Sequence, residues 1–356
     1  MLRFFLVLSF FILTQNSHAQ DPVYDYLVWA DEFNDTGAID GSKWHHQTQL
    51  PNGDSWYNGE IQHYTDREEN SFMSDGSLFV KAIKESYTNQ GVTKQYTSAR
   101  LNSKFAFTYG RVEIKAILPY GVGTWPAMWS LGKNIIEPGG YWSNTNGTVN
   151  WPACGEIDIM EHWGNNQDYV SSALHTPSSY GNTMNVGGRN IPGVSNEYHI
   201  YEMIWSPEKI VFKVDDIIHY VYEPAVQNAD TWPFDADQYL LLNLAILPSI
   251  DTAFTEDAMD IDYVRVFQET VLGADAPLLK NLIAVFPNPI NELLRIEIPM
   301  TLLGSELHLY SILGQEVMIE TLSSVDSQLD VSSLAIGTYI LEIETPVGVY
   351  KEILIK

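Results

Sequence analysis

Glu156, Asp158 and Glu161 fall close together in the run Gly155-Glu-Ile-Asp-Ile-Met-Glu-His-Trp-Gly164. Their apolar neighbours Ile157, Ile159 and Met160 lack helix-type spacing, so the run reads as a strand. Strand side chains alternate between faces, which sends Glu156 and Asp158 one way and Ile157 the other. Glu161, five residues after Glu156, belongs on the wrong face of a regular strand. One extra residue, a β-bulge near Ile159–Met160, returns it to the acidic face. Three carboxylates on one strip repel one another, and that cost calls for a chemical explanation. Glycoside hydrolysis supplies one, because retention of configuration needs two carboxyls about 5–5.5 Å apart, one nucleophile and one acid/base. Two long glutamates leaning together can close such a gap. The shorter Asp158 fits a supporting role between them, since like charges this close split their pKa values and keep one acid neutral. Taken alone, the motif also fits a solvated acidic strand edge or a calcium loop.

The elements that must carry this strip are strands. From about residue 21 to 268, short runs of β-branched and aromatic residues alternate with Gly, Asn, Asp and Ser turn signals. Arg111–Ile117, Ile210–Val214 and Tyr239–Ala245 are examples, and no long segment of helical period interrupts them. About 250 residues of this kind make one large all-β domain, a sandwich or a barrel. All ten tryptophans precede residue 233, so the remainder of the chain is a different unit.

Composition places the protein outside the cell. Arg3, the apolar run Phe4 to Leu13 and Ser17-His-Ala19 form the three regions of a signal peptide, residues 1–19. A run of ten residues, nine of them apolar, is too short to span a bilayer, and no later stretch qualifies. The single cysteine, Cys154, excludes an internal disulfide framework and reads as a packed thiol. A net charge of −26 argues against nucleic acid and against polyanionic glycans, leaving a neutral glycan as the easier partner. The sequence holds no zinc spacing, P-loop or dinucleotide fingerprint, so catalysis is expected to need no cofactor.

The segment Glu156–Glu161 resembles the active-site signature of glycoside hydrolase family 16, in the bulged form of its laminarinase-like members. The resemblance continues through Val28–Asn34, Gly59–Thr65, Thr97–Arg100, Tyr109–Lys115, Gly123–Trp129, Ala173–Thr176 and Met259–Phe267. It implies a β-jelly roll whose concave sheet forms an open cleft, and an endo-acting retaining β-glucanase cutting β-1,3 linkages in laminarin-like glucans. Glu156, Asp158 and Glu161 are then the catalytic acids. Trp125 and Trp129 resemble aromatics lining the subsites beside the cleavage point, as suits the apolar faces of sugars. Asn58, Arg100 and His175 match positions that approach the sugar or the acids, and Trp163 is a candidate for the rim. His162 is expected to face away. The resemblance also implies a structural calcium on the face away from the cleft, held by Glu32, the carbonyl near Gly76 and Asp262. One departure concerns a rim of the cleft. Many members carry Gly-Gly-x-Trp after the equivalent of Leu242–Ala245, whereas this chain has Ile246-Leu-Pro-Ser-Ile250.

Residues 20–268 are thus the expected catalytic domain and 269–281 a linker. In residues 282–356, Leu294, Ile296 and Ile298 alternate with polar residues, as do Tyr339, Leu341 and Ile343. Phe286-Pro-Asn-Pro289, Leu309–Gly314, Asp330–Tyr339 and Lys351–Lys356 form a series similar to the C-terminal sorting domain of type IX secretion cargo. A carbohydrate-binding module is the competing reading, but the segment has no tryptophan for stacking on sugars. The whole reads as a secreted or surface-attached monomer whose partners are a neutral β-glucan and the export machinery. Mixed-linkage β-1,3-1,4-glucan and a neutral galactan such as agarose are the alternative substrates, and non-catalytic glycan binding is the alternative function. The extra residue in the acid strand counts against lichenase-type specificity.

Overall fold

A computed structural model describes residues 22–269, 279, 282–345 and 348–356. The signal-peptide residues and most of the linker lie outside these. Two sheets built from residues 24–269 pack face to face. The larger, of eleven strands, centres on Glu256–Glu269, which pairs with Tyr24–Asp31, Ser77–Asn89 and Gly110–Ile117. The other has seven strands. In spatial order they are Val186–Asn190, Tyr169–His175, Glu156–His162, Thr124–Gly132, Gln238–Ile246, Arg100–Phe107 and Trp44–His46. Every pairing within the seven-stranded sheet is antiparallel. Among the described residues the longest α-helix is the single turn Ser143–Asn146.

Alternation decides which residues fill the space between the sheets. Val112, Ile114 and Ala116 of one sheet meet Leu240, Leu242 and Leu244 of the other, all fully buried. Burying a side chain of this size stabilises by about 1.5–3 kcal/mol. Trp205, Tyr201 and Phe212 close the same core. The acid strand contributes Ile157, Ile159 and Met160 to it, so its apolar residues anchor the strand and leave its acids on the opposite face. The jelly-roll sandwich expected from the sequence is the fold observed.

Residues 282–356 form a second β-unit of two sheets. Ala284–Phe286, Leu293–Glu297 and Asp326–Asp330 make one, and Glu306–Ser311, Glu316–Thr321, Thr338–Thr345 and Gly348–Ile355 the other. Leu294, Ile296, Ile298, Tyr339, Leu341 and Ile343 all lie in its core, as their alternation predicts.

Candidate active site

The bulge falls where the acid spacing requires it. On one side Asp158 pairs with Ala173 and Glu161 with Ser171, three residues against two. On the other side Met160 pairs with Met128 and Asp158 with Trp129, two against one. Both bulge residues, Ile159 and Met160, are buried in the core. Ser172 supports the bulge from the next strand, its hydroxyl donating to the Ile159 carbonyl at 2.7 Å. Glu161 thereby regains the face of Glu156 and Asp158, and all three line a cleft of about 230 Å³.

Each glutamate meets one indole donor, and Asp158 lies beside His175. The Trp151 indole N–H donates to Glu156 Oε2 at 2.9 Å. His175 Nε2 lies 3.2 Å from Asp158 Oδ2 and 3.5 Å from Glu156 Oε1. The Gly181 backbone N–H donates to His175 Nδ1 at 3.1 Å, which makes Nδ1 the acceptor and assigns the ring proton of neutral His175 to Nε2, facing the acids. Trp125 donates its indole N–H to Glu161 Oε1 at 3.2 Å, and Trp163 stacks on the Trp125 ring at 5.5 Å. His162 is buried with Nδ1 against the Tyr169 carbonyl, so it faces away. Cys154 is a buried thiol whose pKa burial pushes up.

Burial raises all three carboxyls above the usual carboxylate range, to about 8, and the charge of Asp158 adds to the rise at Glu156 and Glu161. Unfolded carboxyls ionise near pH 4. The cluster's stabilising contribution is therefore complete below that pH and is lost as pH climbs toward 8. Glu161→Gln removes one of these groups at nearly constant shape. It is expected to stabilise the fold at pH 8 by a few kcal/mol, the order set by a rise from 4.5 to about 8, and to leave stability unchanged at pH 4. Denaturant unfolding at the two pH values checks this. A variant no more stable than the wild type at pH 8 would show that the acids are well solvated.

The other expected residues divide into those facing the cleft and those behind it. Asn58, Trp125, Trp129 and Arg100 all line the cavity. Arg100 also has protein partners behind the cleft. Its Nη2 donates to Glu137 Oε1 at 2.7 Å and its Nε to Gln47 Oε1 at 2.9 Å. Its guanidinium lies 4.6 Å from the Trp129 ring centroid, bracing that ring. Trp129 also donates to Asn243 Oδ1 at 2.7 Å. Trp163 reaches the site by stacking on Trp125. Trp151, Tyr57, Glu60, Glu137 and Asn243 line the cleft as well and were not expected. A tryptophan close before an acid strand was the one available signal, for Trp151. The chain's departure at residues 246–250 folds tightly against Gly123. A Cβ on that glycine would meet Ile250 Cα at 2.2 Å, and its φ of +91° is one that glycine accepts readily.

Two oxygen-rich places bear on metals. Ligand atoms of Glu156, Asp158 and His175 lie within 4.8 Å of one another, but the proton on His175 Nε2 makes that nitrogen a donor rather than a ligand. On the other sheet, Leu78 opposite Ile261 and Asp31 opposite Val264 bring Gly76, Asp262 and Glu32 to one stretch of the strand Glu256–Glu269. There Glu32 is held by Arg265 Nε at 2.7 Å, and Asp262 by Lys115 Nζ at 2.5 Å.

Crowded carboxyls of raised pKa in a tryptophan-walled groove define a glycan-cleaving hydrolase, and comparison with known proteins narrows the class. Residues 63–265 match the glycosyl hydrolases family 16 profile, and residues 284–356 match the secretion system C-terminal sorting domain. The chain is 37% identical over 260 residues to a β-glucanase of Rhodothermus marinus, covering 68% of this chain and 85% of that one. Among solved structures, LamA of Zobellia galactanivorans, in complex with laminaritriose and laminaritetraose, is 44% identical with a TM-score of 0.65. That match covers 69% of this chain and all of that one. The laminarinase from Rhodothermus marinus matches at 36% identity and TM-score 0.61, covering 70% and 99%. The chain belongs to glycoside hydrolase family 16. Its C-terminal unit is a sorting domain, so the protein is exported, to the medium or to the cell surface. No described helix is long and apolar enough to cross a membrane.

Proposed function

We propose that this protein is an exported endo-β-1,3-glucanase that hydrolyses laminarin-like glucan by double displacement. The observation that carries the reading is the bulged acid strand, which turns Glu156 and Glu161 into one cleft beside Asp158. Likeness to LamA, a structure seen with laminari-oligosaccharides, supports the choice of linkage. Glu156 accepts the Trp151 indole N–H and has the His175 imidazole 3.5 Å away, neighbours that favour its anion, and so acts as nucleophile at the anomeric carbon. Glu161, with a single indole donor, holds its proton and delivers it to the departing glycosidic oxygen. It then takes a proton from the water that releases the glycosyl–enzyme, restoring the starting configuration. Asp158 raises the pKa of both glutamates and is itself held by His175. Trp125 and Trp129 offer ring faces to the sugars.

Products from a panel of laminarin, curdlan, lichenan and agarose test the reading. Laminari-oligosaccharides of intermediate length are expected from laminarin, with slower release from lichenan and none from agarose. Galactan cleavage without laminarin cleavage would overturn it. The acids and both tryptophans come from one chain, so the enzyme is expected to act as a monomer, which a light-scattering mass checks.

No step of this scheme uses a metal. Glu32, Asp262 and the Gly76 carbonyl are oxygen donors of the kind that suits calcium, and an ion held by them would replace the Arg265 and Lys115 pairs. Its effect is then on stability. Added calcium is expected to raise the melting temperature, chelation to lower it, and Glu32→Ala to abolish the response. Identical melting with calcium and chelator would rule the site out.

A further inference from the structure

Trp151, which donates to Glu156, and His175, whose Nε2 lies 3.2 Å from Asp158 and 3.5 Å from Glu156, are both held by one loop, the segment from Thr176 to Asn185 between the strands Tyr169–His175 and Val186–Asn190. Gly181 gives its N–H to His175 Nδ1. The next residue back, Tyr180, sets its ring perpendicular to Trp151 at 5.3 Å between centroids. Trp151 also lies 5.7 Å from the His175 ring. The loop is bonded to itself. Thr176 and Ser179 exchange backbone hydrogen bonds at 2.9 Å in both directions. The Thr183 hydroxyl donates to the Leu174 carbonyl and accepts from the Asn185 N–H, while the Ser179 hydroxyl accepts from the Met184 N–H. Gly181 has φ +66°, the left-handed conformation that lets the chain turn its N–H toward the imidazole.

We propose that the 176–185 loop is a positioning element for the nucleophile, with Tyr180 holding Trp151 as a fixed hydrogen-bond donor to Glu156, and Gly181 orienting the His175 imidazole beside Asp158 and Glu156. The inference rests on the assignment of Glu156 made above. Tyr180 is 54% exposed, so its role is not core packing, and truncating it should spare the fold. An edge-to-face contact of this kind contributes about 0.5–1.5 kcal/mol. That is enough to fix one indole orientation when the ring is otherwise 40% exposed. Donors to the charged form hold a carboxyl's pKa down. Loosening them raises the pKa of Glu156 and moves the acid limb of the kcat/KM profile, which requires the ionised nucleophile, to higher pH.

Tyr180→Ala and Tyr180→Phe, assayed on laminarihexaose across pH beside the wild type, provide the test. For Tyr180→Ala, kcat is expected to fall about tenfold with KM within twofold, and the acid limb to move up by about half a unit. Tyr180→Phe keeps the ring edge and is expected to restore both. A rise in KM with unchanged kcat and pH profile would make Tyr180 a sugar-contacting platform and overturn the proposal, as would a wild-type profile for Tyr180→Ala. Failure of the wild type to cleave laminarihexaose would instead count against the functional reading itself.

Discussion

Glu156→Ser is expected to abolish laminarin hydrolysis, with a fall in kcat of at least about 10⁴-fold and no loss of fold. The nucleophile forms the covalent bond on which both half-reactions depend, and a serine at this site has neither the charge nor the reach to replace it. Glu161→Ala is expected to lose about 10²–10⁴-fold on laminarin, the range of a positioned general acid–base. It behaves differently once the leaving group needs no proton. With an aryl β-laminaribioside carrying a good leaving group, the first displacement proceeds and the glycosyl–enzyme accumulates. External azide then enters the space vacated by the carboxyl and accelerates turnover, giving the β-glycosyl azide. An α-azide from Glu161→Ala would reverse the two roles, and full activity in both variants would end the enzymatic reading of this strand.

Removal of residues after Gln268 is expected to separate catalysis from export. The acid strand, Trp125 and Trp129 and the calcium candidates all precede that point. The two-sheet core of residues 24–269 is complete without the C-terminal unit, and a domain of about 250 residues buries enough surface to fold alone. The truncated chain should therefore hydrolyse soluble laminarin at rates within about twofold of the full chain. In the native host it should stop in the periplasm, because the sorting domain that outer-membrane passage requires is gone. The isolated segment should not sediment with curdlan, since it has no tryptophan to stack on sugar. Binding to curdlan together with normal export of the truncated chain would make the segment a glycan-binding module.

The sequence made the acid strand legible because strand geometry is strict. A period of two leaves Glu161 misplaced unless one residue is extra, and the register slip at Ile159–Met160 is that residue. The C-terminal sandwich was legible for the same reason, through alternation at Leu294, Ile296, Tyr339 and Leu341. What escaped lies in segments without period. Trp151 reaches Glu156, and Gly181 reaches His175, through loops whose course depends on the whole sandwich. Arg100 was read by resemblance as approaching the sugar or the acids, and its pairing with Glu137, 37 residues away in sequence, was not foreseen. No local spacing announces such a pair. Ser172 is a similar case, a polar residue in a strand whose value lies in the bulge carbonyl opposite.

The assignment of Glu156 as nucleophile is tested most directly by trapping the intermediate. An activated 2-deoxy-2-fluoro-β-laminaribioside slows both displacements but slows breakdown of the glycosyl–enzyme more, because its good leaving group aids only the first. Peptide mass analysis of the inactivated wild-type enzyme should then find one fluorolaminaribiosyl group, esterified to Glu156. A label on Glu161 or Asp158, or turnover with inversion and no label at all, would contradict the account.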